Sequence, residues 1–474
     1  MGTNMEPIGI SPNGVDNYRL IVTRRDLSEV LILANESDSL SYLPTAQILP
    51  NRRVAQQLTE EILRRWQLQT CCLFIAPRQH HPEMVIRTTY VVMEWIGPAG
   101  NISKEICWKS LAQLDLISKA PGTDTFALQT SIQELKAHLA NPNSGPFLHP
   151  GWLKNLFAWS GEQLEMLGLR LTGVFAQLNA SPNFSLIRLE TTGPAVWFKA
   201  TGVPNHRELS ISVAIARLLP AYVPLMLGIH LEWNGWLSGE LPGSPLTDIS
   251  NSADWERVAS TLAYMQIESI RGTASLIEAG CKDLRIPNLK KHIEPFLAQM
   301  LLLMERQEKT KPAPLDSAQL DLVRLGLNEA CSQLSQLGLP DTISHIDFNP
   351  GNTMVSPNKC CFLDWAEGAV SNPFLTFEYL LEHYRRRGSG EGSLQSLRNA
   401  YVRPWLPLFS PSVLETALSY SPLIALFAYA VRDLDWRTET SHRDPRVAGY
   451  FRALARRMHV ETLRFTESRV SCFH

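Results

Sequence analysis

The sequence predicts an α+β protein, and three observations carry the prediction. Short apolar runs typical of strands recur over residues 18–241, helical spacing of apolar residues takes over from Asp254, and a turn-rich stretch at 344–364 breaks those helices with a hairpin. At 474 residues the chain exceeds one hydrophobic core, and domains are expected at 1–143, 144–243 and 244–474. A content of 45% hydrophobic and 19% charged residues is that of a globular protein.

Residues 18–33 read as a strand pair broken at Arg24-Arg25-Asp26-Leu27-Ser28. Residues 54–68 read as a helix with Val54, Leu58, Ile62, Leu63 and Trp66 on one face. Strands follow at 71–75 and 89–96, on either side of a polar loop with Arg78, His80, His81 and Pro82, and Trp108-Lys109-Ser110-Leu111 reads as a closing turn. The layout resembles a Nudix-type fold. Where that family places Arg-Glu-hydrophobic-x-Glu-Glu, this chain has Gln56-Gln57-Leu58-Thr59-Glu60-Glu61, and a pyrophosphate-cleaving metal site needs more carboxylates than these two. Glu60 and Glu61 are expected on a solvated helix face with Arg64 and Arg65. The region is expected to be a docking module for a further ligand or partner.

Asn141-Pro142-Asn143-Ser144-Gly145-Pro146 resists helix and strand and marks the expected boundary. A helix at 152–167 precedes strands at 169–178, 184–190 and 195–200. In the last of these, Lys199 of Val196-Trp197-Phe198-Lys199-Ala200 is either a snorkelling edge residue or a cation aimed at phosphate. The next helix buries Ile211, Ile215, Leu218 and Leu219. Glu208 in its first turn either answers the helix dipole or pairs with Lys199. Residues 225–232 and 236–241 read as a hairpin turning at Asn234-Gly235, and Gly239-Glu240-Leu241-Pro242-Gly243 then leaves for the helical region. Three apolar stripes, led by Trp255, Ile293 and Leu320, continue as helices, with more at 374–384, 413–417, 423–431 and 447–465. Arg385-Arg386-Arg387 and the arginines from Arg437 onward could meet an anionic substrate, but solvated faces are the expected reading.

Residues 344–364, SHIDFNPGNTMVSPNKCCFLD, carry the chemistry. Residues 353–355 and 360–363 read as strands joined by Ser356-Pro357-Asn358-Lys359. Asn352 enters that hairpin and Asp364 leaves it, so an amide oxygen and a carboxylate meet at its open end. Together they suit one hard cation such as magnesium. Asp347 lies just upstream, where a loop can fold its carboxylate over the same end. The alternative is that these residues only cap and stitch a buried hairpin.

His345-Ile346-Asp347-Phe348-Asn349-Pro350-Gly351-Asn352 with Leu363-Asp364-Trp365 resembles the aminoglycoside phosphotransferase and choline kinase-like family of small-molecule kinases. That family usually has Gly where this chain has Ile346 and often His where it has Asn349. The resemblance covers residues 150–474 and implies a two-lobed protein-kinase-like fold, with a small antiparallel β lobe and a large helical lobe. It implies ATP and Mg2+ as cofactors and phosphate transfer to a hydroxyl of a small molecule. In that pattern Asp347 takes the hydroxyl proton, His345 supports the loop, and Asn352 and Asp364 hold magnesium. Lys199, paired with Glu208, holds phosphate, and the hinge at Glu240 and Leu241 meets the adenine. Glu367, Glu378 and Glu382 hint at a cationic or polyhydroxylated acceptor. No Gly-x-Gly-x-x-Gly is present, which keeps open a non-catalytic nucleotide-binding scaffold as the alternative.

A net charge of −2 gives no general case for binding nucleic acid or a membrane. With no run of about twenty apolar residues and no signal-like region in MGTNMEPIGISPNGVDN, a cytoplasmic location is expected. Eight cysteines without a Cys-x-x-Cys pattern argue against a zinc site or a disulfide framework.

Overall fold

The computed structural model describes residues 15–33, 43–49, 52–75, 89–98, 103–111, 124–141, 144–388 and 390–471. The loop carrying Arg78, His80, His81 and Pro82 lies outside them, as do Pro142 and Asn143. The chain forms two packed units, the first from Met1–Leu209 and Met226–Glu240, the second from Ser210–Leu225 and Leu241–His474.

In the first unit, β1 (Asp16–Thr23), β2 (Glu29–Leu33), β3 (Thr45–Ile48), β4 (Leu68–Ile75), β5 (Thr89–Pro98) and β6 (Ile106–Ser110) form one mixed sheet. Its order is β4-β5-β1-β2-β6, with β3 also on β1 and the β1–β5 pair parallel. Helix α1 (Val54–Trp66) buries Ala55, Leu58, Ile62 and Trp66, which recur every three or four residues. Leu63, expected on that stripe, is one residue round the helix from Ile62 and is exposed. Glu61 pairs with Arg64 at 2.6 Å and Glu60 accepts from Gln56, as a solvated face requires. Trp108 lies in β6 opposite Leu31, so the expected closing turn is a strand whose backbone groups are satisfied by β2.

Helix α2 (Asp124–Ala140) was not legible in the sequence. Its Leu128, Ile132 and Leu135 enter the same core as Phe147, Leu148 and Trp152, so the boundary expected at 143 falls inside this unit. Helix α3 (Trp152–Glu165) precedes β7 (Leu171–Gln177), β8 (Ser185–Thr191) and β9 (Val196–Ala200), and α4 (Glu208–Leu218) follows. Then come β10 (Met226–His230) and β11 (Gly235–Gly239). Order β10-β11-β9-β8-β7 makes a five-stranded antiparallel sheet. The hairpin turn differs from the expected two residues. Gly235 is already paired with His230, leaving 231–234 as the connection, and Asn234 instead donates its amide to the Thr201 and His206 carbonyls.

One buried side chain fastens the first sheet to the second. Gln177 of β7 donates to the Cys72 carbonyl at 2.9 Å and accepts from the Cys72 N–H at 2.8 Å, completing an edge strand that has no neighbour there. Gln177→Leu keeps the volume and orphans two buried backbone groups. It is expected to lower stability by about 2–4 kcal/mol in denaturant unfolding followed by tryptophan fluorescence. A loss under about 0.5 kcal/mol would show that those groups find other partners.

The second unit holds most of α4 and a helical body: α5 (Ser252–Ser269), α6 (Thr273–Glu278), α7 (Ile286–Lys290), α8 (Ile293–Glu305), α9 (Ser317–Gln336), α10 (Phe374–Arg386), α11 (Glu391–Val402), α12 (Pro411–Val431), α13 (Glu439–Arg443) and α14 (Pro445–Ser471). Two small sheets are set into it. One joins β12 (Ser244–Pro245), β15 (Thr353–Ser356) and β16 (Lys359–Phe362); the other joins β13 (Lys282–Leu284), β17 (Gly368–Ser371) and β14 (Thr342–His345). At Gly243, with φ +102°, a Cβ would lie 2.1 Å from the Val355 carbonyl oxygen, so β12 can reach β15 only past a glycine. The α+β class expected from the sequence therefore stands, with an antiparallel sheet in one unit and helices in the other.

Helix α12 is continuous where two helices were expected, with Pro422 inside it. It is also long and apolar enough by length and composition to cross a membrane, which corrects the expectation that no such run exists. Its apolar residues, Leu414, Leu423, Ile424 and Phe427 among them, are buried in the core of this unit.

Candidate active site

The candidate residues of the second unit are placed by strand register. Strand β14 pairs with β17 through His345↔Gly368, and Asp347 follows in a turn. The Asn349 side chain accepts from the Gly351 N–H at 2.9 Å, and Asn352 N–H donates to the Asn349 carbonyl at 2.8 Å. Strands β15 and β16 then pair from Thr353↔Phe362 to Ser356↔Lys359. Beyond that ladder, Leu363 N–H donates to the Asn352 carbonyl at 2.8 Å. That extra rung brings Asn352 opposite Leu363, with Asp364 next along the chain.

Asp364 has φ 64° and ψ 64°, left-handed backbone that Asp and Asn tolerate better than most residues. The bend ends the strand at an exposed carboxylate, while Asn352 is half-buried. An amide and a carboxylate at an open hairpin end fit a hard divalent cation that takes few protein oxygens and leaves room for others. Among the described residues no three or more His, Cys, Asp or Glu side chains gather as a metal centre, so a full protein cage is not on offer.

His345 is buried, and its Nε2 lies 3.0 Å from the Leu363 carbonyl oxygen, beside Asp364. Burial pushes its pKa down, so the neutral ring donates from Nε2 and braces the loop. A buried neutral imidazole so committed is no general base for an incoming substrate.

Asp347 is half exposed, and its Oδ1 lies 3.4 Å from Nη1 of Arg432, which is almost completely buried. The Arg432 guanidinium also sits 4.1 Å from the Tyr429 ring centre and 3.2 Å from Asp433. Asp433 in turn shares Lys282 with Glu367. A chain of ion pairs thus runs from Glu367 to Asp347. It corrects the expectation for Glu367, whose charge is spent on Lys282. Sequence reasoning missed Arg432, Asp433 and Lys282; the available signal was an Arg-Asp pair directly after the apolar 411–431 stretch.

In the first unit, Lys199 Nζ pairs with Glu208 Oε1, and Glu208 is buried. The pairing gives Glu208 the partner expected for it, and β9, paired on both sides, is no edge strand for Lys199. Along β9, Phe198 and Ala200 face the core while Lys199 takes the other face, 5.7 Å from the Trp236 ring centre. The expected hinge differs in detail. Arg188 clamps Glu240 through two bonds of 2.7 and 2.9 Å, which holds that carboxyl below its usual range, and Glu240 N–H donates to the Ala195 carbonyl. The sheet thus uses the Glu240 N–H and Arg188 its carboxylate. Leu241 opens the second segment of the second unit.

A cavity of about 400 Å³ opens beside Asp347, between the turn after β14 and helices α10, α12 and α14. Glu378 lines it from a nearly inaccessible position, and burial pushes its carboxyl up to about 7. An acid with a raised folded pKa keeps its proton longest in the folded state. No penalty exists below about 4.5; stability falls as pH rises through the window from there to about 7, where the full cost of ~3 kcal/mol is reached. Glu378→Gln is expected to raise stability at pH 8 by up to that amount and to change little at pH 4.5. Equal urea midpoints for the variant and parent at pH 8 would contradict the assignment.

No protein-family model matches the chain, and no curated protein matches it. Among solved structures it is similar to a macrolide 2'-phosphotransferase, MphH from Brachybacterium faecium, at 14% identity over 64% of this chain and 98% of that one, with a TM-score of 0.43. It is similar to choline kinase from Cryptosporidium parvum Iowa II at 11% identity over 67% and 96% of the two chains, with a TM-score of 0.45. An ethanolamine kinase of Plasmodium vivax is 12% identical over 70% and 93%, with a TM-score of 0.45. Likenesses of this degree carry no argument about activity, which has to come from the residues.

Proposed function

We propose that the protein is an ATP- and magnesium-dependent phosphotransferase that moves the γ-phosphate to a hydroxyl of a small molecule. The observation that supports this reading is the Leu363–Asn352 rung with the left-handed Asp364, by which Asn352 and Asp364 flank one end of the hairpin that follows an accessible Asp347. Asn352 and Asp364 would hold magnesium, which when bound supplies charge neutralisation for phosphate oxygens. Asp347 orients the acceptor hydroxyl and accepts its proton, and the adjoining cavity has the size of a small-molecule site. Lys199, held by Glu208, is assigned to phosphate, and the backbone at Leu241 to the base. Alignment and charge neutralisation are expected to supply most of the acceleration.

The test is ATP consumption with magnesium across hydroxylated metabolites, amino alcohols, sugars and antibiotics. Turnover that depends on one acceptor class supports the reading; nucleotide binding with no transfer to any of them overturns it in favour of a scaffold. That second reading has one observation behind it: the connection between β7 and β8, residues 178–184, contains no glycine to cover phosphates. The N-terminal residues are proposed as a docking module, supported by a cavity of about 870 Å³ bounded by Arg24, Trp95, Lys154 and Phe175 in the first unit.

A further inference from the structure

We infer that the acceptor carries an anionic group, a carboxylate or a phosphate, beside the hydroxyl that receives phosphate. The inference rests on the phosphotransferase reading and adds the charge of the molecule that fills the Asp347 cavity. Carboxylates and guanidinium groups both line that cavity, and its character depends on which of them are already neutralised.

Asp347 shares the buried Arg432 with Asp433, so the chain from Glu367 to Asp347 keeps one formal negative charge, and Glu461 accepts from Arg464 at 2.8 Å; neither arginine lines the cavity. Glu378 is buried, and its raised pKa leaves it only partly charged near neutral pH. Glu382 remains, and three arginines converge on it: Arg385 at 2.8 Å, Arg386 at 3.0 Å and Arg457 at 3.2 Å. One carboxylate offsets one of those three charges. The rest face a cavity whose only other base, His383, is held neutral by burial and by Arg386.

Each guanidinium offers five donors, and Glu382 occupies only one or two from each. The three head groups are about half exposed, so their remaining donors stay accessible. A planar fork of N–H groups suits carboxylate and phosphate oxygens better than it suits an amine or a bare polyol. Glu382 thus organises the arginines from α10 and α14 instead of attracting a cation, which reverses the hint taken from its sequence position.

The probes are gluconate and glucose 6-phosphate as anions, with glucose and glucosamine as their neutral and cationic counterparts. KM for each is measured by ATP consumption in the parent, Arg457→Gln and Arg385→Gln, and calorimetry records binding of the same four molecules without turnover. An anion should be the preferred acceptor, and each variant should raise its KM and weaken its binding by about tenfold or more, as loss of a charge-assisted hydrogen bond implies. Which anion is preferred separates the carboxylate from the phosphate source. Glucose or glucosamine used at equal or lower KM, with both variants inert, overturns the inference and leaves the phosphotransferase reading intact. If ATP binds and no acceptor is phosphorylated, that reading fails instead. The anion site then stands only if calorimetry shows gluconate or glucose 6-phosphate binding that the variants weaken, and binding of neither anion overturns it.

Discussion

Asp347→Asn is expected to lower kcat by about 10²–10⁴-fold, the range in which a positioned general base contributes, with nucleotide affinity changed by no more than a few-fold. The substitution keeps the size of the side chain and one oxygen able to meet Arg432, whose Nη1 stands 3.4 Å from Oδ1. It removes the ability to take a proton. Because Asp347 sits in a turn after β14 and is not a rung of any ladder, the fold loses no hydrogen bond of its sheets. Single-turnover ATP consumption and equilibrium binding of an ATP analogue separate the two effects. Unchanged turnover would remove Asp347 from its assigned role, and a parallel loss of nucleotide binding would move it to the phosphates.

Asp364→Asn is expected to lower kcat/KM by about 10²-fold or more and to raise the magnesium concentration needed for half-maximal activity. Asparagine tolerates the left-handed backbone recorded at φ 64°, so the bend after β16 survives while the charge is lost. The loss therefore tests charge at the hairpin end and not the hairpin itself. Magnesium titration of nucleotide binding is the companion measurement. A variant with the parent's magnesium dependence in both would place the cation elsewhere, and Asn352 would lose its assignment with Asp364.

The acidic set and the loop around it were legible because they are local. Asn352 and Asp364 flank one short hairpin, and a two-residue turn with a regular ladder leaves little freedom in where its ends emerge. Lys199 and Glu208 were legible as candidates, and the alternation along β9 with the buried carboxylate showed that they pair. The partners of Glu240 were not legible, because Arg188 lies in β8 and Ala195 just before β9, where no local pattern names them.

By itself the sequence determined the α+β class, the hairpin between Asn352 and Asp364, and the order of residues proposed for phosphate and metal, since each depends on spacings of a few positions. Tertiary structure alone decided that residues on both sides of 143 share one core, and that α12 runs unbroken through Pro422. It alone placed Arg432 on Asp347 and Arg457 on Glu382, across separations of 85 and 75 residues. The physical reason is that a charge is read by its neighbours in space: an unpaired glutamate and one gripped by three guanidinium groups look the same along a chain, and only packing tells them apart.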